Sequence, residues 1–165
     1  MPTTYDPIAT TTLGSAAATI TFSSIASSWT DLRLVITGTA SSNEFVTIQF
    51  NNDTGANYSE TYLFGNGTSA STGQITGANN IYDYSVFTND SNVATVAIDI
   101  FSYAGSTYKT VLLTGSGDKN GSGRTTREVG LWRSTSAITS IKLFGYFGAN
   151  FNTGTTATLY GIKNA

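Results

Sequence analysis

Neither cysteine nor histidine occurs anywhere in this chain. Without thiols no disulfide framework can form, and without imidazole or thiolate the commonest transition-metal ligands are missing. Nucleophilic systems of the Ser-His-Asp or Cys-His kind are excluded for the same reason. Proline is nearly absent too: Pro2 and Pro7 both precede the first clear strand signal. The rest of the chain is therefore free of the residue that interrupts a sheet ladder. Charge is scarce, at 11% of residues where about 25% is usual. The net charge of −2 provides no basic stripe to displace counterions from phosphate. Lys119, Arg124, Arg127 and Arg133 are spread over a glycine-rich turn and one strand and read as a solvated edge, so no nucleic-acid partner is expected. No apolar run reaches the roughly 18 residues of a membrane span. The amino terminus has no basic segment followed by an apolar run, so no signal peptide and no membrane association are expected.

Ser, Thr, Asn and Gly take the place of the missing charge, and such composition suits strands better than exposed helices. Period-two alternation supports this. Ala18, Ile20 and Phe22 alternate with Thr19 and Thr21; Leu32, Leu34 and Ile36 face opposite to Arg33, Val35 and Thr37. Val46, Ile48 and Phe50 form a third inward set, and Ala94, Val96, Ile98 and Ile100 a fourth. Tyr58, Glu60, Tyr62 and Phe64 share one face of a strand. Further strands are expected at 8–13, 81–87, 108–114, 127–133, 138–147 and 155–162, with 74–76 as a candidate edge strand. The stretches 65–80 and 115–123 otherwise read as long loops, and residues 1–7 as an extended arm. About nine or ten strands joined by turns predict an all-β fold, a jelly-roll-like antiparallel β-sandwich over 8–165 with a short N-terminal arm at 1–7. An immunoglobulin-like sandwich is the alternative, although it needs only about 100 residues. Phe22, Phe50, Trp132 and Phe144 are assigned to its core.

Candidate chemistry is thin. Asn51-Asn52-Asp53-Thr54-Gly55 groups oxygen ligands of the kind Ca²⁺ takes, but without EF-hand spacing it reads as a β-turn. Asp83, Asp90, Asp99, Glu60 and Glu128 could be paired for glycoside hydrolysis; as single acids on strands they are expected to face outward, and no enzymatic activity and no cofactor or metal are expected. The aromatics exceed what one core of this size requires: nine Tyr, nine Phe and two Trp. Tyr and Trp join an apolar face to a polar tip, which suits a subunit interface or a sugar-stacking platform. Tyr5, Ile8, Trp29, Tyr82, Tyr84 and Tyr146 are the candidate partner-contacting residues, with Tyr5 and Ile8 anchoring the arm.

Several stretches carry a family likeness. They are Val129-Gly130-Leu131-Trp132-Arg133-Ser134-Thr135-Ser136-Ala137-Ile138, Thr158-Leu159-Tyr160-Gly161-Ile162-Lys163, the opening Thr4-Tyr5-Asp6-Pro7-Ile8, and Asn57-Tyr58-Ser59. Together they resemble small virion structural proteins of tailed bacteriophages, of the head-decoration, cement or tail and fibre type. The shared residues form no chemical motif, so the resemblance bears on fold and setting. It implies a jelly roll, a homotrimer on local threefold axes, and attachment to the major capsid protein or another virion protein. A capsid decoration or cement protein is the expected function. The alternative is a tail or head-fibre module that recognises a host-surface glycan.

Overall fold

The computed structural model describes residues 4–163. Its strands are β1 (Tyr5–Thr12), β2 (Thr19–Phe22), β3 (Asp31–Gly38), β4 (Val46–Phe50), β5 (Tyr58–Gly65), β6 (Ala70–Ala78), β7 (Ile81–Tyr82), β8 (Ala94–Ile100), β9 (Lys109–Gly117), β10 (Arg124–Trp132), β11 (Ile141–Gly145) and β12 (Thr156–Ile162). They form two sheets, ordered β1-β12-β3-β8-β9-β10-β5-β6 and β2-β11-β4-β7. Every pairing is antiparallel. The fold is an all-β sandwich.

From β2 onward the chain passes repeatedly between the sheets. In the smaller one β11 inserts between β2 and β4; in the larger one β8–β10 insert between β3 and β5. This interleaving is the two-Greek-key plan of a jelly roll. One strand position is expanded into the β8–β10 meander, and β12 and β1 are added beyond β3.

The alternation read from sequence is the burial pattern. In β3 and β8 every second residue is buried, and Leu32, Leu34, Ile36, Val96, Ile98 and Ile100 enter the core beside Ile48, Phe50, Ile141 and Leu143. Trp132 and Phe22 are also buried. Phe144 is not. Its neighbours Leu143 and Gly145 point inward, so period two turns its ring outward, 5.1 Å from Lys142 Nζ.

Several boundaries differ from those expected, each for a physical reason. The first strand begins at Tyr5, not Ile8. Tyr5, Asp6 and Pro7 lie opposite Ile162, Gly161 and Tyr160, so they are in the sheet instead of reaching outward. An irregularity between Pro7 and Ala9 accommodates the proline at the sheet edge. The remainder of the expected arm, residues 1–3, lies outside the described residues. The stretch 65–80 is mostly β6, an edge strand whose polar residues mask its periodicity. Conversely, the strand expected at 81–87 pairs in the smaller sheet only at Ile81 and Tyr82.

Four strands cannot cover the inner face of eight, so the larger sheet overhangs at both ends. At the β12 end Trp29 lies over Gly161, where any Cβ would collide with the indole, and Ile8 and Leu13 pack beside the core. Deleting residues 2–7 removes the opening of an edge strand while leaving Ile8 in place. The expected result is a loss of about 1–2 kcal/mol in urea denaturation, from a few net hydrogen bonds; an unchanged midpoint would show that β1 contributes nothing before Ile8.

Candidate functional site

The opposite overhang carries the aromatic surplus. Tyr62 and Phe64 continue the inward face of β5 beyond the buried Tyr58 and Glu60. They join Phe45, Tyr82, Tyr84, Tyr146 and Phe147 in one connected ring network. Ring centroids are 4.0 Å apart for Tyr62–Tyr84, 4.4 Å for Tyr82–Tyr146, 4.9 Å for Tyr82–Tyr84 and 5.3 Å for Phe45–Phe147. The Arg124 guanidinium lies 4.8 Å from the Phe64 centroid and 5.7 Å from that of Phe45, within cation–π range. Its Nη1 also donates to the Tyr84 carbonyl at 3.3 Å. Tyr146 is 46% exposed and Phe147 66%, while Tyr82 is almost covered.

These rings sit on irregular backbone, and buried carboxyl groups hold that backbone. At the edge of the smaller sheet, Asp83 N–H donates to the Val46 carbonyl of β4 at 2.9 Å. The alternate N–H groups point away from β4 and have no neighbouring strand. Tyr82 N–H donates instead to Glu60 Oε2 at 3.1 Å, and Tyr84 N–H to Glu128 Oε1 at 2.7 Å. Two side chains from the larger sheet thus stand in for a missing strand. Glu44 does the same for the third ring-bearing segment. Its Oε1 accepts from Phe45 and Phe147 N–H at 2.9 and 2.7 Å, and its Oε2 from Ala149 N–H at 2.8 Å. Asp83 turns inward, accepting from Ser85 N–H at 2.7 Å and Thr126 Oγ1 at 2.6 Å. Gly115 makes room for it, since a Cβ there would strike both Asp83 Oδ1 and Thr126 Oγ1.

Burial, and then the Asp83 charge, push the Glu60 carboxyl up to about 7, although the Tyr82 N–H opposes the rise. Burial moves Glu128 further, to about 9, with Asp83 and Glu60 adding repulsion against the Tyr84 N–H. Burial raises Asp83 as well. Tyr84 is raised by burial and by its hydrogen-bonded neighbours Tyr62 and Tyr82, so its own ring remains a neutral phenol. Glu60 is 4% exposed, Glu128 1% and Asp83 0%. Their geometry serves main-chain capture, with no open approach for a substrate. The expectation that these three acids face outward is therefore overturned: Glu60, Glu128 and Asp83 are interior. Asp99 and Asp90 do lie on the surface, paired with Arg33 at 2.9 Å and Lys119 at 2.8 Å.

Among the expected contact residues, Tyr82, Tyr84 and Tyr146 come together here. Tyr5, Ile8 and Trp29 do not; they belong to the far edge of the larger sheet. Sequence reading missed Phe45, Tyr62, Phe64, Arg124 and Phe147. The shared face of Tyr58, Glu60, Tyr62 and Phe64 was the available signal for two of them. The loop 51–55 is a turn with left-handed Asn51 and Asn52, at φ 52° and 55°. The Asp53 carboxylate faces back into the protein, accepting from Trp132 Nε1 at 2.7 Å, Gly55 N–H at 2.9 Å and Asn57 Nδ2 at 3.0 Å. Among the described residues no group of three or more acidic side chains is placed to hold a metal ion. The four basic residues are separately engaged: Arg127 with Thr114 Oγ1, Arg133 with the Ala56 carbonyl, Lys119 with Asp90, and Arg124 with the rings.

A groove of about 370 Å³ adjoins the rings, lined by Thr54, Asn79, Asn80, Tyr82 and Tyr146 among others. No protein-family model matches the chain, and neither a curated protein nor a solved structure does so.

Two outcomes follow for the buried acids. Glu44→Ala leaves three main-chain N–H groups without their acceptor, at about 1–3 kcal/mol for each that stays dry. The expected loss is at least ~3 kcal/mol in chemical denaturation, with a mobile Tyr146–Phe147 turn by hydrogen exchange. The pH profile has a definite sign. Carboxyls raised on folding bind protons more tightly in the folded state, so their stabilisation is complete below the unfolded value near 4.5 and declines above it. The melting temperature is expected to fall as pH rises from about 4.5 to about 7 for Glu60 and to about 9 for Glu128. Each unit of upward displacement corresponds to about 1.4 kcal/mol. Glu128→Gln keeps the acceptor for Tyr84 without the charge, and should flatten the alkaline half of a melting series.

Proposed function

We propose that this is a non-enzymatic structural protein of a tailed-phage virion, a capsid decoration or cement protein that binds across capsid subunits. The observation that carries the proposal is the rigid aromatic face at the β5–β7 end of the sandwich. The backbone beneath its rings is held by buried hydrogen bonds and the rings pack on one another before any partner arrives, so little backbone freedom is lost on docking. Aromatic residues with an adjoining Arg are the side chains that contribute most at protein interfaces. The low charge content means that few ions need desolvating when such a face is covered. The resemblance to phage virion proteins provides the setting, and with it a homotrimer in which one aromatic face serves repeated equivalent contacts. Repetition over a lattice converts modest single-site affinity into tight attachment.

The groove beside Tyr82 and Tyr146 favours a second reading. Amide side chains beside an aromatic face are suited to a sugar, as expected of a tail or head-fibre module that recognises a host-surface glycan.

The two readings separate by copy number and by titration. Decoration requires hundreds of copies in a purified particle; a tail or fibre position requires a few to a few dozen. Tyr146→Ala with Phe147→Ala removes the two strongly exposed rings of this face and should leave the melting temperature nearly unchanged. Attachment to stripped particles is expected to weaken at least ~10-fold, as for loss of an interface hot spot. Unchanged attachment would overturn the decoration reading, and saturable binding to host polysaccharide, lost in the same variant, would favour the glycan.

A further inference from the structure

The two edges of the larger sheet are built differently. At one edge β1 carries Asp6, Pro7 and the irregularity between Pro7 and Ala9, which are devices that block pairing with another strand. At the other edge β6 runs Ala-Ser-Thr-Gly-Gln-Ile-Thr-Gly-Ala with no charge and no proline. It pairs with β5 on one side, and among the described residues no strand lies beyond it. The irregularity of β6 lies only at its far end, where Gly77 is skipped between the Tyr58–Ala78 and Ser59–Thr76 pairs, and the edge over 70–76 is left as a template for main-chain pairing.

We infer that β6 pairs antiparallel with β6 of a second copy of this chain, about a twofold axis at Gln74. The occupant is indicated by the strand's own near-palindrome. About Gln74, Thr72 faces the second copy's Thr76, and Gly73 faces its Ile75. Ala70 and Ala78 are likewise equivalent in sequence. Thr–Thr pairs are favourable across antiparallel strands. The Ile side chain meets a glycine, so the two do not crowd. A charged residue near the axis would meet itself, and none is present. The alternation fits: Thr72, Gln74 and Thr76 lie on the exposed face, with Gly73 and Ile75 on the other. Gly77, at φ +66°, bends the strand at its end and confines regular pairing to the residues before it. The contact uses main-chain groups of the edge and does not depend on the virion reading. It is also distinct from a threefold association through the rings.

The absence of cysteine makes the test direct. Residues opposed across an antiparallel pair have Cα atoms about 4.5–5.5 Å apart, inside the range that a disulfide spans. Gln74→Cys should therefore cross-link to a covalent dimer under mild oxidation at least ~10-fold faster than Thr110→Cys, an exposed strand position on the same sheet. Thr72→Cys should lag behind Gln74→Cys, because its own copy lies off the axis. Gln74→Lys, an exposed edge change that the fold tolerates, should lower the dimer fraction measured by light scattering on otherwise wild-type protein. Equal rates for Gln74→Cys and Thr110→Cys, or faster cross-linking of Thr72→Cys, would overturn the proposal. So would a dimer unaffected by Gln74→Lys.

Discussion

The aromatic end of this protein depends on buried carboxyl groups taking main-chain N–H groups that no strand can reach. A sheet edge leaves alternate N–H groups unpaired, and an unpaired N–H buried away from water is costly. Here the edge of the smaller sheet is covered by the overhang of the larger one, so water is excluded and another acceptor is required. Glu60 and Glu128, from adjacent strands of the larger sheet, accept from Tyr82 and Tyr84, while Glu44 accepts from Phe45, Phe147 and Ala149. Burial makes the proton hard to lose, so near neutral pH Glu128 holds the backbone chiefly as a neutral acid, whereas Glu60, raised to about 7, is divided between its two forms. Lys109 shows the opposite polarity: its buried ammonium donates to the carbonyls of Gly105, Thr107 and Ser134.

That arrangement links stability to the surface. The rings of Tyr82, Tyr84, Tyr146 and Phe147 project from segments whose conformation the glutamates determine. A face built on unsupported loops would lose entropy when a partner docked; this one is ordered beforehand. Unequal sheets are the underlying cause. The overhang must be covered, and where Trp29 closes one end with a single indole over Gly161, the other end is covered by a layer of rings with solvent on its far side.

Much of the sandwich was legible from alternation alone. The inward sets of β3, β4 and β8 are those read from Leu32/Leu34/Ile36, Val46/Ile48/Phe50 and Ala94/Val96/Ile98/Ile100. Reading failed where polarity and position disagree. The candidate edge strand at 74–76 is the centre of β6, but the polar run concealed its full extent, Ala70–Ala78, because an edge strand needs no apolar face when it has solvent beside it. The apolar run 81–87 gave the reverse error, because its side chains are buried by the overhang and not by a ladder.

Composition and periodicity by themselves determined that the chain is all-β, which strands have a buried face, and which nucleophilic chemistries are closed to it. These are properties of residue type and of a two-residue repeat, and both are local. Tertiary structure decided the rest. Only the assembled sheets show that Glu60, on the same face as Tyr58, is interior, or that Tyr82, Tyr84 and Tyr146 converge while Tyr5, Ile8 and Trp29 lie elsewhere. The reason is the unequal width of the two sheets. The same inward-facing position becomes core beneath the smaller sheet and a ring-covered margin beyond it, and no local repeat encodes where that sheet ends.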